Sequence, residues 1–546
     1  MQAHTTTRSD ATRTSPQPST HRAWSSARWV VVAVVAAALL PLVVSAIDLV
    51  LRGGTLHPWG DQALLELDVR DVGRHLVLTG AYSRFGWRHP GPLEFYLLAL
   101  PYRLVGERSI GIYLGALLVN GAAIAGIAHV ARRRAGTALV VWSMLVTLLL
   151  VRTFGPNAAR NPWSPYATVI PCLLMILLGW SLVDGDVWSL PLAVAAGSFL
   201  VQSHVEYALL VLVLVGGGVV VLAARALAEP GRPHLSRLLK ATAIAGAVGV
   251  VLWIPPVVQQ LTHHPGNLGL LARFFRENHP GHSASTALHV IAGEWSWRPN
   301  WLVHWGAVHA TTGELDTSHA PVPIVLVVFL GALAASWRRA PSARNLLLVV
   351  AASWAVAFVS VMHIVGPLYP YLLRWLDALG AATGLAVGWA LWEALAPVRG
   401  RITPAVRAIV VAGVIASTVV ASVASARAPI PYPPESRLLA QLEKPVLASV
   451  HGGGGVVVLR RDDTSYAAAT LAGLALELER HHVPVCIDAR HDPPLGALFT
   501  PSRLCRTRPP RAVLTVTAGG HVAPDSGTPV ASANVINVLR VKLEAR

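Results

Sequence analysis

Charged residues are scarce in this sequence, and so are lysine and cysteine. Only 13% of the 546 residues are charged, whereas a soluble globular domain carries about 25%. Hydrophobic residues make up 53% of the chain, and so much apolar surface with so little charge excludes disorder over most of its length. The apolar residues stand in long uninterrupted runs, which argues against one large soluble domain.

The small number of cysteines also limits the chemistry that the sequence can predict. No CxxC motif or Cys/His spacing indicates zinc or redox work, and Cys172 lies in an apolar run where it is expected to be a small buried residue. Cys486 and Cys505 form either a disulfide or two free thiols. The histidines lack a repeated metal-ligand spacing. No metal site is therefore predicted, and a divalent metal cofactor is left open.

The long apolar runs predict an all-α polytopic membrane protein with about eleven transmembrane helices. The first run is interpreted as a retained helix, because no small-residue cleavage site follows it. Residues 1–27 before it are rich in Ser, Thr and Arg and are predicted to form a disordered cytoplasmic tail. The predicted transmembrane domain covers 28–427, with spans near 28–51, 109–131, 136–152, 165–183, 187–204, 206–225, 241–260, 321–337, 343–363, 373–396 and 404–426.

The distribution of basic residues predicts the orientation of these helices. With a cytoplasmic N-terminus, eleven crossings place every short basic loop on the cytoplasmic side, as the positive-inside rule requires. The net charge of +16 therefore indicates a multi-pass protein of the plasma membrane and no nucleic-acid partner. The residues concerned are Arg132, Arg133, Arg134, Arg225, Arg232, Arg237, Lys240, Arg338, Arg339, Arg344, Arg399, Arg401 and Arg407.

The same topology places three polar regions outside the cell. These are the loops 52–108 and 261–320 and a C-terminal domain, 428–546. Residues 91–106 are helical in pattern, but a crossing there would reverse the later loops, so a juxtamembrane or re-entrant helix is expected. In the C-terminal region, strand patterns at 456–461, 484–488 and 512–518 alternate with a helical pattern at 464–480, which predicts a small α/β domain.

Asp61 is the first acidic residue of the outer loop 52–108. It follows Pro58-Trp59-Gly60 and opens a helical pattern with leucines and valines on one side. Aspartate at such a place is commonly an N-cap, and this role does not exclude a functional one.

Two features of this loop occur together. An acidic residue opens an amphipathic helix, and a His-Pro-Gly-Pro-Leu element begins at His89 and leads into an apolar helix; residues 83–92 read SRFGWRHPGP. The combination resembles the class C (GT-C) glycosyltransferases, such as the protein O-mannosyltransferases and the aminoarabinose transferase of lipid A, and most of all their actinobacterial members. These polytopic enzymes use lipid-phosphate-linked sugars. The resemblance covers 28–260 well and 261–426 in outline.

The resemblance implies a polyprenyl-phosphate sugar donor and a catalytic role for Asp61. Asp61 aligns with the family's catalytic acid and would take the proton of the acceptor hydroxyl, a step that contributes about 10²–10⁴-fold to the rate. Many relatives carry a second acid at the next position, where this sequence has Gln62. This difference argues against a paired-carboxylate or metal-dependent site.

Cations are expected near the leaving lipid phosphate, because they stabilise its developing charge. Arginine suits this role since its planar fork binds phosphate through two bonds, although contact with lipid headgroups is the alternative for each arginine. The predicted donor-binding residues are Arg84, Arg88, His89, Arg152 and Arg160.

A further polar cluster lies at a tight outer turn between two predicted spans. Ionisable residues at membrane depth usually line a cavity, so His204 and Glu206, together with Gln62, are predicted to line the same cavity as Asp61. Capping of the turn at the membrane interface is the alternative. Asp61, His89 and His204 are accordingly expected to share one outward-facing cavity. A later outer segment, 363–374, carries Tyr and Arg that could touch the lipid phosphate.

Together these observations predict an integral membrane hexosyl- or pentosyltransferase. It would move a sugar from a polyprenyl-phosphate donor to an extracytoplasmic glycan, lipid or protein acceptor, with inversion. Two alternatives from other classes stay open, namely a lipid-linked-sugar transporter or flippase and a non-catalytic envelope assembly protein. A flippase would carry polar residues at mid-membrane depth, and the predicted spans mostly lack charges away from their ends.

Overall fold

The protein is mainly helical, with one small sheet near its C-terminus. The computed structural model describes residues 20–52, 56–228, 235–303, 308–450, 455–461, 464–490, 492–505, 510–519 and 527–541. The helices before residue 304 are α1 (Thr20–Arg52), α2 (Asp61–Asp71), α3 (Leu93–Leu104), α4 (Ile110–Phe154), α5 (Pro156–Ala159), α6 (Ser164–Ala167), α7 (Val169–Val183), α8 (Ser189–Ser203), α9 (Tyr207–Val211), α10 (Gly217–Ala228), α11 (Leu235–Thr262), α12 (Asn267–Arg276), α13 (Ala284–Trp295) and α14 (Asn300–Val303). The later helices are α15 (Ile324–Arg339), α16 (Pro341–Met362), α17 (Trp375–Ala394), α18 (Arg399–Ala426), α19 (Pro433–Val450), α20 (Ser465–Arg480) and α21 (Pro493–Leu498).

Each of the eleven predicted spans coincides with helix in the structure. Within the described ranges, seven helices are long and apolar enough to cross a membrane, and the predicted all-α polytopic class is confirmed. α4 contains two of the predicted spans. Between them, Ala135 and Gly136 depart from helical geometry and divide α4 into two arms. The total of eleven crossings stays a prediction, since α8 and α15 are shorter than a full span.

The first helix begins earlier than the sequence suggested. α1 starts at Thr20, so it includes the last eight residues of the segment predicted to be disordered, 1–27. Residues 1–19 of that segment lie outside the described residues.

The helices pack around α7, which is buried on almost every side. A helix that is apolar all round belongs in the interior of a bundle, and α4, α8, α16 and α17 surround it. α1, α11, α15 and α18 instead leave large apolar side chains exposed, as at Val250, Val327 and Ile409. Such an apolar outer surface fits hydrocarbon, and the chain is a multi-pass membrane protein.

Basic loops far apart in sequence meet at one end of the bundle. Arg133 and Arg134 pair with Asp186 and Asp184 in the turn between α7 and α8. Asn345 near the start of α16 donates to the same Asp184 at 2.7 Å. The acidic turn therefore joins two of the basic loops at one end of the bundle, as the charge pattern required, and the side of the membrane that they face stays a prediction.

The segment at 91–106 contains α3, which has 12 residues. At 1.5 Å per residue this helix is about 18 Å long, too short for hydrocarbon about 30 Å thick. It buries Phe95, Leu98 and Tyr102 and leaves Leu100 and Leu104 exposed, as expected for a juxtamembrane helix.

The C-terminal region forms a mixed five-stranded sheet in the order β2-β1-β3-β5-β4, from β1 (Val456–Arg461), β2 (Val485–Ile487), β3 (Pro510–Ala518), β4 (Thr528–Ala533) and β5 (Ile536–Val541). β1 runs parallel to β2 and β3, while β3, β5 and β4 are antiparallel. The α/β prediction is confirmed, and α19, α21 and the β4–β5 hairpin were missed. A disulfide joins Cys486 of β2 to Cys505, so the first of the two alternatives for these cysteines is the one observed.

The sheet and its helices share a hydrophobic core with α2. Ala63, Leu64 and Leu67 of α2 lie in this second core together with residues of α19, α20 and β1. The opposite face of α2, with Leu65 and Val69, belongs to the core of the helical bundle. With the predicted domain boundary at residue 428, α2 belongs to the transmembrane domain in sequence, but it packs in both the core of the helical bundle and the core of the C-terminal region.

Candidate functional site

A cavity of about 590 Å³ lies at the end of the bundle opposite the arginine end, which is the end that the charge pattern predicts to face outward. Its walls come from α2, the loop before α3, the turn between α8 and α9, α12, the end of α16 and the segment that follows it. Apolar side chains make up most of the lining. Its polar and aromatic members are Asp61, Asp68, Tyr82, Ser83, Arg84, Phe85, Trp87, His89, Trp163, Ser164, His204, Glu206, Phe274, Phe275, Ser360, His363 and Tyr371.

This cavity, which we call the outer cavity, brings together the three residues that the sequence expected to meet. Asp61, His89 and His204 all line it, although they lie in three separate segments of the chain. Arg84 and Glu206 line it as well. Their catalytic or binding roles stay predictions.

Asp61 is the first residue of α2 and is half-buried. The N-cap is Gly60, whose φ of 58° suits glycine, and its N–H donates to the carbonyl of Ala469 in α20 at 3.1 Å. Asp61 makes no cap hydrogen bond, so the N-cap alternative is not what the structure shows. Its carboxylate is left free for another partner.

That partner is the phenol of Tyr82, which donates to Oδ1 of Asp61 at 2.5 Å. Among the described residues no hydrogen bond reaches Oδ2. Burial raises the pKa of Asp61, and the hydrogen bond from Tyr82 lowers it. The arrangement fixes the carboxylate in orientation and leaves one oxygen available as a base.

Tyr82 belongs to a folded loop between α2 and α3. Backbone hydrogen bonds link Gly80 to His89 and Ser83 to Trp87, at 2.9 Å each, and Gly86 makes the turn with φ of 82°. The loop thus forms a short hairpin. Its side chains at Tyr82, Arg84 and His89 reach the outer cavity.

The surroundings of His89 favour its neutral form, whereas the sequence suggested a cation. Burial is the main cause that lowers the pKa of His89 well below its usual value, and the charges of His204 and Arg88 act in the same direction. Its Nδ1 accepts the N–H of Val205 at 3.2 Å, and its ring lies 4.5 Å from that of His204. His89 can therefore donate one hydrogen bond, from Nε2, to a ligand.

His204 and Glu206 belong to the wall that the turn between α8 and α9 provides. Nδ1 of His204 lies 3.6 Å from Oε2 of Glu206, and Trp375 donates to Oε1 of Glu206 at 3.1 Å. Both residues line the outer cavity, as predicted from their place at an outer turn.

Of the four arginines predicted to bind the donor, Arg84 lines the outer cavity. One of its amino groups donates to the carbonyl of Val365 at 2.6 Å, and the guanidinium lies 4.9 Å from the centre of the Phe85 ring. Arg84 lowers and Asp61 raises the pKa of Tyr371, which burial also raises. The ring of Tyr371 therefore lies within electrostatic reach of both the acid and the cation.

The other predicted arginines are placed elsewhere. Arg88 pairs with Asp68 at 3.2 Å, and Arg160 is buried and pairs with Asp48 at 3.2 Å. Arg152 is exposed and does not line the outer cavity. Arg88 and Arg160 are already paired with carboxylates, and a paired guanidinium has few donors left for a ligand. Arg152 faces the surroundings of the protein.

Gln62 also lies outside the outer cavity. It is buried, its amide donates to Asn161 at 3.3 Å, and the phenol of Tyr113 donates to its carbonyl oxygen. Position 62 faces the helical bundle because it is one residue, about 100° of helix, from Asp61.

Sequence reasoning missed Tyr82 and the aromatic pair Phe274 and Phe275 of α12. Tyr82 carries no local signal, since its contact with Asp61 spans 21 residues. α12 has a signal that could have been used, namely an amphipathic NLGLLARFFR pattern in an outer loop, which is typical of interfacial helices.

The fold of the chain is similar to that of a membrane protein whose crystal structure is known. The chain is similar to ArnT from Cupriavidus metallidurans bound to undecaprenyl phosphate, with a TM-score of 0.56, 18% identity and coverage of 93% of this chain and 97% of that one. The apo form of the same protein gives a TM-score of 0.53 and 17% identity, with coverage of 96% and 98%. No family model and no curated protein matches the chain. The predicted GT-C fold is thereby confirmed.

Proposed function

We propose that this protein is an integral membrane glycosyltransferase that uses a polyprenyl-phosphate sugar as donor and Asp61 as general base. The observation that carries the proposal is the half-buried Asp61 carboxylate on the wall of the outer cavity, oriented by Tyr82. The likeness to ArnT, a protein crystallised with undecaprenyl phosphate, supports a lipid-phosphate donor. The acceptor is an extracytoplasmic glycan, lipid or protein.

The cavity lining is suited to a donor with an apolar tail and a charged head. Phe274, Phe275 and Leu209 provide an apolar wall, and Phe275 and Leu209 are themselves exposed on the outside. An isoprenoid chain can leave the cavity along this wall into the bilayer. Arg84 then meets the phosphate through a charge-assisted hydrogen bond.

The reaction is a single displacement at the anomeric carbon of the donor. The acceptor hydroxyl attacks that carbon while its proton passes to Oδ2 of Asp61, and the bond from carbon to phosphate oxygen breaks. The leaving group is the lipid phosphate, whose negative charge Arg84 stabilises, with His89 as a neutral donor nearby. One displacement inverts the configuration of the sugar.

Sugar transfer in membranes tests the proposal directly. Vesicles containing the protein are supplied with radiolabelled polyprenyl-phosphate sugars and cell-envelope acceptors, and the products are separated from the donor. A covalent glycosylated product supports the proposal. Movement of label across the bilayer with no covalent product would instead identify a flippase.

Replacement of Arg84 by Ala is expected to weaken donor binding. Loss of a hydrogen bond between charged groups costs about 1.5–3 kcal/mol, which corresponds to an increase in KM for the donor of about 10–150-fold. Arg84→Lys should recover part of this loss, because lysine keeps the charge without the planar fork. Steady-state kinetics with varied donor measure the effect. The matched control is Arg298→Ala, an exposed arginine of the other outer loop, and an unchanged KM for R84A would contradict the assignment.

Replacement of Tyr82 by Phe is expected to move the acid limb of the pH profile upward. A base must be ionised, so kcat/KM falls as pH decreases through the pKa of Asp61, which burial raises. Tyr82 lowers that pKa by its hydrogen bond, and its removal therefore shifts the limb to higher pH. Profiles of kcat/KM for the wild type and Y82F measure the shift. Tyr96→Phe, which removes a phenol bonded to the Val77 carbonyl, is the control, and a limb at unchanged or lower pH would exclude this role.

A further inference from the structure

A second group of titratable residues lies outside the outer cavity, where the loop before α2 meets α19 and α20. Nδ1 of His57 is 3.1 Å from Oε1 of Glu477 and 3.7 Å from Oε2 of Glu443. All three donor atoms lie within 4.8 Å of one another. Nε2 of His481 lies 2.7 Å from the other oxygen of Glu443. Two imidazoles and two carboxylates from three elements thus converge.

The spacing of these donors matches the coordination sphere of zinc. Ligands at 2.0–2.2 Å from a tetrahedral Zn²⁺ are about 3.3–3.6 Å apart, and the two distances from His57 Nδ1, 3.1 and 3.7 Å, lie close to the two ends of this range. Histidine nitrogen and carboxylate oxygen are both ligands that zinc accepts. His57, Glu443 and Glu477 can therefore enclose one ion with small side-chain movements, and a water molecule would occupy the fourth position of the tetrahedron.

The charges around the cluster favour a cation. Arg480 is close to Glu477, at 2.9 Å, but it also pairs with Glu66 at 2.5 Å, and that pair neutralises its charge. Glu477 keeps its ion pair with Arg480, and the carboxylates of Glu443 and Glu477 together offer a divalent cation two negative charges.

We propose that His57, Glu443 and Glu477 form a zinc site, with a water molecule in the fourth position. His57 is four residues before Asp61, and the two glutamates belong to the helices on which α2 rests. A bound ion would tie the start of the catalytic helix to the C-terminal domain. The site is separate from the outer cavity, and the proposal does not depend on the proposed function.

Zinc binding by the full-length protein tests the site. The protein is purified in detergent without a histidine tag, stripped with a chelator and resupplied with Zn²⁺, and bound zinc is measured by mass spectrometry after gel filtration. The wild type is expected to retain about one zinc ion per chain and to unfold at a higher temperature with zinc than without it, because the metal binds the folded state. Glu443→Gln and His57→Gln should each weaken zinc binding by at least the about 10–100-fold seen for loss of outer-shell partners.

Two controls make the outcome decisive. Glu435→Gln removes a carboxylate from the same helix α19 away from the cluster, and His204→Gln removes a histidine of the outer cavity; both should retain zinc. Either of two results overturns the proposal, namely a wild type that retains no zinc, or zinc that survives both E443Q and H57Q. Loss of zinc in H204Q with retention in E443Q would place the metal in the outer cavity and would likewise overturn it. Gel filtration and circular dichroism identify any variant that fails to fold, and the remaining variant then gives the answer.

Discussion

Replacement of Asp61 by Asn is expected to lower kcat for sugar transfer by about 10²–10⁴-fold, the usual contribution of a general base. The amide has the same shape as the carboxylate, and its oxygen can still accept the hydrogen bond that Tyr82 donates to Oδ1 of Asp61 at 2.5 Å in the wild type. The start of α2 should therefore keep its geometry. What the variant loses is the ability to take a proton from the acceptor hydroxyl, so kcat falls while KM for the donor stays close to that of the wild type.

The measurement is the rate of product formation at saturating donor, with equal amounts of protein in the membrane. Asp316→Asn is the matched control, because it makes the same change at a partly exposed carboxylate in the other outer loop, away from the cavity. If D61N and D316N both transfer sugar as fast as the wild type, Asp61 is not the base. A large rise in KM with unchanged kcat would instead assign Asp61 to substrate binding.

Replacement of Arg503 by Ala is expected to destabilise the protein by about 3–5 kcal/mol, the cost of leaving a buried charge without its partner. Arg503 donates to both carboxylate oxygens of Asp71, at 2.6 and 2.9 Å, and to both of Glu479, at 2.7 and 3.0 Å. It also donates to the carbonyl of Leu67. Asp71 is 3% exposed at its side chain and would remain buried with its charge largely uncompensated.

The same substitution should lower activity, although Arg503 does not line the outer cavity. Asp71 is the last residue of α2 and Asp61 the first, so the ion pair fixes the far end of the helix that carries the base. Unfolding in denaturant gives the stability change, and sugar transfer below the unfolding transition gives the activity. Arg490→Ala, at an exposed arginine of the same domain, is the control. Wild-type stability of R503A would show that α2 is held by its apolar contacts alone.

This second prediction also bears on the role of the C-terminal region. Residues 428–546 provide the surface on which α2 rests, through the shared core at Ala63, Leu64 and Leu67 and through Arg480 and Arg503. Among the alternatives that the sequence left open, a separate assembly domain with no link to the cavity fits these contacts least well. The orientation of Asp61 depends on that region, because the N–H of Gly60 is bonded to α20.

The apolar runs determined the helical architecture by themselves. A helix that crosses hydrocarbon needs about 20 apolar residues and makes all its backbone hydrogen bonds within one segment. Each span can therefore be predicted from its own local sequence. The basic loops carried equally local information, and Arg133, Arg134 and Arg344 do lie in loops that meet at one end. Asp61 could also be identified from local sequence. It is an acidic residue in an outer loop of a chain with few charges, and the same loop contains the His89 element that resembles the GT-C family.

The tertiary structure alone decided which polar residues reach the cavity. Arg84 and Arg160 are both outer arginines in sequence, yet one lines the cavity and the other is buried against Asp48. Tyr82 and Arg503 contact α2 across 21 and 432 residues, respectively. Hydropathy and charge patterns describe where a segment lies relative to the membrane, whereas a hydrogen-bond partner is fixed by packing between distant segments. The sequence by itself therefore determined the class of fold and pointed to Asp61. The packing of the C-terminal domain against α2 determined which side chains surround Asp61 in the outer cavity.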